Sequence, residues 1–211
     1  MLITLVIIGV VAALTLPTLM TKYQHHVLEN QFKKSVATIN HALSLMAYED
    51  GGHLRETYTP YDTENKIYPK SREFSEKFWT HIKAQEFTKY YGIYYIKNYN
   101  NTSNNNYLQY GTSRKQVRQM LQPADGSLID VYISAMEINI IVDANGQKGP
   151  NRLGYDVFYF IVAKNDTLAG SSKAICNLTD TSDNNGRGCS YYALRNKCPY
   201  DDTKTYWECL K

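Results

Sequence analysis

No cysteine occurs before residue 176, and no histidine occurs after residue 81. No histidine lies among the cysteines, and no two cysteines have the C-x-x-C spacing of a zinc ribbon or a redox motif. The chain also lacks G-x-S-x-G, H-E-x-x-H and any phosphate-binding loop, so no catalytic set can be assembled from motifs and no enzymatic activity is expected. Neither sign of charge is in excess. Lys and Arg number 23 against 20 Asp and Glu, for a net charge of +3, so composition calls for no nucleic acid or other polyanion as partner. The most pronounced absence is at the start. MLITLVIIGVVAALTLPTLM, residues 1–20, contains no charged side chain and offers no polar face.

A helix of that length spans about 30 Å, the thickness of a bilayer's hydrocarbon core. An all-round apolar helix belongs in lipid or among other apolar helices. Beyond it, Leu28, Phe32, Val36, Ile39, Leu43 and Met46 recur at steps of four and three, with Lys22, Glu29, Lys33 and Lys34 off that line. This is the pattern of a helix with one covered face, and Asp50-Gly51-Gly52 is its first convincing stop. Three divisions follow: 1–20, a transmembrane or filament-core helix; 21–50, an amphipathic stalk; and 51–211, a globular domain long enough for its own core. His25 and His26 are adjacent and so point to different helix faces, unlike a helical metal pair.

An apolar N-terminal helix that carries Gly9 and Pro17 and runs unbroken into an amphipathic stalk resembles the type IV pilins and the pseudopilins of type II secretion systems. LITLVIIGVVAALTLPTL, Leu2 to Leu19, is similar to the start of their mature helix. The resemblance implies a structural subunit of a pilus or pseudopilus, held by inner-membrane lipid as a single-pass protein before assembly, with its C-terminal domain extracytoplasmic. Its partners would be other such subunits, bound through the N-terminal helix, and a prepilin peptidase if a leader lies upstream. Gly9 and Ala13 would let a neighbouring helix approach closely, and Pro17, which cannot bond the Ala13 carbonyl, marks where the helix loosens. The family's basic leader, its glycine, the aromatic residue after cleavage and the nearby glutamate are not in the sequence. Lys22, Lys33 and Lys34 follow the apolar run, which by the positive-inside rule would put the domain in the cytoplasm; a basic leader upstream would reverse this. The alternative function is a single-pass anchored binding protein for sugar, DNA or surface attachment.

In the domain, Ser71 to Glu86 reads as a second amphipathic helix with Phe74, Phe78, Trp79 and Ile82 on one face. Tyrosine is abundant, at 19 of 211 residues. Glu86 to Tyr110 concentrates it around Gly92 and an asparagine-rich loop, the pattern of an exposed β surface with a long hairpin loop. SLIDVYIS, EINIIVD and DVFYFIVA read as three strands of an antiparallel meander. The fold class expected is α+β, a long membrane or stalk helix on an antiparallel sheet of pilin-like form, with a disulfide-tied C-terminal tail. Between the last two strands lies DANGQKGPNRLGYD, similar to a stretch in some pseudopilin-like sequences. Asn145-Gly146 and Gly149-Pro150-Asn151 suit tight turns. Asp143, Asn145 and Asp156 are also the candidate oxygen ligands for calcium, although Lys148 and Arg152 oppose a cation and no metal is favoured. The tail, Ser171 to Lys211, is polar, and Cys176, Cys189, Cys198 and Cys209 are read as two disulfides in an oxidising compartment. Of the three pairings possible, the sequential one is expected, Cys176–Cys189 and Cys198–Cys209. Codons in frame upstream of Met1 are expected to encode a basic leader, a glycine, an aromatic residue and a glutamate; reading the gene checks this, and an immediate in-frame stop contradicts it.

Overall fold

The computed structural model describes residues 2–82, 85–86, 93–103, 106–109, 111–113 and 116–210, with side-chain environments along the first helix given at 13, 15–17 and from 19 onward. Helix α1 (Leu2–Asp50) runs unbroken for 49 residues, straight through Pro17. The Thr21 hydroxyl donates to the Pro17 carbonyl at 3.0 Å, on the turn that follows the proline. The helix stops where the sequence places its glycines. Gly51 and Gly52 have φ of 76° and 86°, a region L side chains avoid, and the Gly52 N–H returns to the Ala47 carbonyl at 2.6 Å. That six-residue closure satisfies one of the last open carbonyls of the helix. The expected stripe is the buried one: Leu28, Phe32, Ile39, Leu43 and Met46 lie in the core and Val36 is half-buried, while Lys33 and Lys34 face out.

After α1 the chain makes a short helix, α2 (Leu54–Tyr58), capped from a distance. The Asp166 carboxylate accepts the N–H groups of His53 and Leu54 at 2.9 and 2.8 Å. Helix α3 (Ser71–Ile82) buries Phe74, Phe78 and Ile82 against the same core and leaves Trp79 half-buried. It is shorter than the expected Ser71 to Glu86, because Gln85–Glu86 forms a strand, β1, paired with residues 121 and 122. Lys77 of α3 bridges Glu49 and Asp50 at the end of α1, and the Tyr58 hydroxyl donates to Asp50 at 2.8 Å. These contacts tie the three helices together at one end.

The remaining strands are β2 (Ile93–Ile96), β3 (Asn106–Gln109), β4 (Gly111–Ser113), β5 (Gln116–Gln122), β6 (Leu128–Ser134), β7 (Glu137–Asp143), β8 (Val157–Val162) and β9 (Leu168–Ala169). β2 and β3 make a separate hairpin; the others form an antiparallel sheet in the order β1-β5-β6-β7-β8-β9, with β4 also on β5. The centre is the expected meander, in register from Leu128↔Asp143 to Ser134↔Glu137 and from Asn139↔Ile161 to Asp143↔Val157. Alternation along these strands divides the core. Ile129, Val131, Ile133, Ile138, Ile140, Val142, Phe158, Phe160 and Val162 face α1 and α3. Leu128, Ile141 and Val157 face the other way, where Ile96 and Leu153 cover them. The protein is thus α+β, with an N-terminal helix on an antiparallel sheet and two disulfides.

Two expectations are corrected. Among the described residues, no helix is long and apolar enough to cross a membrane. The described side chains of α1 after Met20 include Lys22, Glu29, Lys33 and Lys34, and only one face of this part is covered. The single-pass placement in the bacterial inner membrane, with lipid as a partner and the domain extracytoplasmic, is therefore withdrawn. The tail, secondly, is more than a cross-linked loop. The disulfides Cys176–Cys189 and Cys198–Cys209 are present, but the tail also forms α4 (Cys189–Leu194) and a 3₁₀ turn at Trp207–Cys209. Tyr206, Trp207, Ala193 and Leu210 are buried in the main core.

Phe32 joins the layers. Its ring lies 4.5 Å from that of Phe158 on β8 and 5.3 Å from that of Trp207 in the tail, centroid to centroid. Phe32→Ala is expected to lower unfolding stability by about 3–5 kcal/mol, read by denaturant titration. Ala37→Ser, on the exposed side of the same helix, should change it by less than about 0.5 kcal/mol.

Candidate functional site

The loop between β7 and β8 folds on its own polar atoms. Gly146 and Gly149 take φ of 66° and 68°, and the Gly149–Pro150 peptide is cis. Asn145 Nδ2 donates to the Gly149 carbonyl at 2.9 Å, and the Gly149 N–H to Asn151 Oδ1 at 3.1 Å. The Asp156 carboxylate accepts the N–H groups of Asn151 and Arg152 at 2.8 and 2.7 Å. Burial pushes the Asp156 carboxyl above its ordinary pKa, and those N–H donors pull the other way. Asp143 ends β7, buried opposite Leu128 and Val157. Of the three calcium candidates, Asn145 and Asp156 thus build the turns, and Asp143 closes the strand. Among the described residues, no group of three or more His, Cys, Asp or Glu side chains is placed to hold a metal.

This loop is where the separate pieces of the domain meet. Lys97, just past β2, exchanges backbone bonds with it, donating to the Asn151 carbonyl at 2.8 Å and accepting from Leu153 at 2.9 Å. The Tyr206 hydroxyl donates to the Gly154 carbonyl at 2.5 Å. Gly154 has φ of 73°, and a Cβ there would lie 2.6 Å from Cys189 Sγ, so the disulfide seats against bare backbone. The Arg152 guanidinium lies 4.5 Å from the centre of the Tyr155 ring and 6.0 Å from that of Tyr99. Tyr155 in turn reaches α1, its hydroxyl 3.1 Å from His25 Nε2. His26 points elsewhere, exposed and bonded to Asn30 at 3.2 Å, as adjacent helical positions require.

Two clefts flank α1 at this level. One, of about 640 Å³, lies between Lys22, His25 and Glu29 and the tail residues Thr205, Trp207 and Glu208. The other, of about 550 Å³, lies between Tyr23, Val27 and Gln31 and the loop residues Lys148, Pro150 and Tyr155. N-terminal to both clefts, the described apolar residues of α1 face solvent. Ala13 and Pro17 are exposed, as are Leu16, Leu19 and Met20, at 54%, 65% and 60% of their surface. Gly9 is one helical step of four before Ala13, on the same side of α1.

Much of the tyrosine-rich stretch, residues 87–92, 104, 105 and 110, lies outside the described residues. Of its described tyrosines, Tyr95 is exposed and Tyr99 is buried against Arg152. Sequence reasoning missed Tyr206 and Trp207 as organisers of this region. Their only signal was two adjacent aromatics beside Cys209 in an otherwise polar tail. No protein-family model matches the chain, and no curated protein or solved structure is detectably similar to it.

Asp156→Ala removes the acceptor of two backbone N–H groups and should cost about 1–3 kcal/mol, equally with and without millimolar calcium. If calcium instead raised the melting temperature of the wild type and Asp143→Ala abolished that rise, Asp143 would be a metal ligand.

Proposed function

We propose that the chain is a non-enzymatic structural subunit of a type IV pilus or type II secretion pseudopilus, joined to other subunits through the N-terminal part of α1. The observation that carries this reading is the change of environment along one helix. From Leu28 to Met46 α1 buries its apolar stripe in its own domain, whereas Leu16, Leu19 and Met20 face solvent with most of their surface open. Contiguous exposed apolar surface of this kind marks an interaction site. Packing it against the helix of a neighbouring subunit removes it from water at about 25 cal/mol per Å². Gly9 and Ala13 leave room for that helix to approach, and the sheet domain, packed on the far part of α1, stays clear of the contact. The arrangement of an N-terminal helix on an antiparallel sheet, with two disulfides in the tail, supports the same reading.

The test separates assembly from folding. Leu16 lies outside the buried core, and both Leu16→Lys and Gly9→Leu are expected to leave the melting temperature of the chain unchanged. Burial of a leucine contributes about 1.5–3 kcal/mol, so Leu16→Lys should weaken self-association roughly 10- to 100-fold. Cross-linking of purified protein and negative-stain imaging of filaments read the outcome. Undiminished assembly in both variants rejects the reading.

A further inference from the structure

His25 is the point at which α1, the β7–β8 loop and the tail touch. The residue is half-buried. Its ring meets that of Tyr155 edge-on, with centroids 5.7 Å apart, in addition to the 3.1 Å contact between Nε2 and the hydroxyl. Behind Tyr155 stands Arg152. On its other side His25 shares a cleft with Thr205, Trp207 and Glu208, and Trp207 is the residue that packs on Phe32. One imidazole therefore connects the base of α1 to both segments that clasp it.

We propose that His25 is a pH-operated latch: neutral, it holds the base of α1 against Tyr155 of the β7–β8 loop, and protonated, it loosens that contact. The neutral ring can accept the proton of the Tyr155 hydroxyl, whereas both nitrogens of the cation are donors, so protonation forces that hydrogen bond to reverse. It also creates a positive charge in a half-buried position facing Arg152. The other ionisable groups near the ring offer little compensation. On α1, Glu29 is held by Lys33 at 2.6 Å, His26 lines the same cleft 3.9 Å from Glu29, and Lys22 adds a further positive charge. From the tail, Glu208 accepts from the Thr205 N–H at 2.8 Å and is drawn to Lys22 and Lys204. Lys204 is paired with Asp201 at 2.8 Å.

The acid–base behaviour follows from this geometry. Burial lowers the His25 pKa below the ordinary 6.5; a backbone contact with Trp207 raises it, and Arg152 lowers it again. A histidine with a depressed folded-state pKa binds its proton more readily when unfolded, so stability rises with pH. The latch contributes fully above the ordinary value. Its contribution is lost as the pH falls from there through the lower folded value. His26, exposed in the same cleft but bonded to Asn30 rather than to Tyr155, serves as the control.

The melting temperature of the full chain is compared at about pH 7.5 and about pH 5 for the wild type, His25→Gln and His26→Gln. The wild type and His26→Gln should lose ~2–4 °C more on acidification than His25→Gln. Proton NMR of the His25 ring should show titration below the ordinary histidine range, moving up toward it in Arg152→Gln. An equal acid loss in His25→Gln and wild type, or His25 titrating at or above the ordinary value, overturns the latch. If His25→Gln does not fold, the NMR titration of the parent chain decides: a Tyr155 ring signal that ignores the His25 midpoint rejects it.

Discussion

The insertion of Phe32 between β8 and the tail is the contact on which the rest of the architecture depends. A lone amphipathic helix must cover its apolar stripe, and a sheet must cover its inner face. Phe32 meets both needs with one ring, touching Phe158, Phe160 and Trp207. Trp207 could not take its place in that cluster without the Cys198–Cys209 bridge, which holds the polar chain around it. Tyr206, alongside, carries the same tail on to the Gly154 carbonyl. Helix, sheet and tail are thus joined at a single aromatic centre, and the described contacts fix the long helix to the domain over its second half.

The β7–β8 loop does for polar groups what Phe32 does for apolar ones. A buried carboxylate, Asp156, folds the loop back on itself through two backbone N–H groups. The loop can then present Arg152 and Tyr155 outward, toward Tyr99 on one side and His25 on the other. Asparagines make similar ties in the tail. Asn185, fully buried, accepts from the Asn177 N–H at 3.0 Å and donates to the Asn177 and Asp180 carbonyls at 2.7 and 2.6 Å. Buried amides satisfied at several atoms in this way hold irregular chain in one conformation, because each lost partner would leave a polar group dry.

A division of labour along α1 follows. Past Leu28 the helix is a structural member of its own domain; before Tyr23 the described apolar side chains Leu16, Leu19 and Met20 are exposed. The boundary between the two regimes falls at the residues lining the two clefts, and His25 lies in the middle of it. The proposed subunit role would use this arrangement, since a continuous helix carries the position of its free end from that of its buried end.

The sequence by itself determined the elements with a clean period. The stripe from Leu28 to Met46, the glycine stop at 51 and 52, and the three alternating strands were legible because side-chain spacing of 3.6 or 2 residues dictates which face is covered. The sequential disulfides were the expected one of the three pairings that the sequence left open. Other features depended on partners far apart in the chain. The end of α3 was decided by pairing of Gln85–Glu86 with β5, and the start of α2 by a carboxylate at 166. The membrane reading rested on the apolar character of residues 1–20 alone, and no described helix sustains it. The oxygens of Asp156 looked as suited to a cation as to a turn until their distances to backbone N–H groups were known. That Tyr206 and Trp207 leave a polar tail for the core, and that His25 faces Tyr155 across 130 residues of chain, only the tertiary structure decided. Contacts at that separation have no periodic signature, because they depend on where whole layers come to rest.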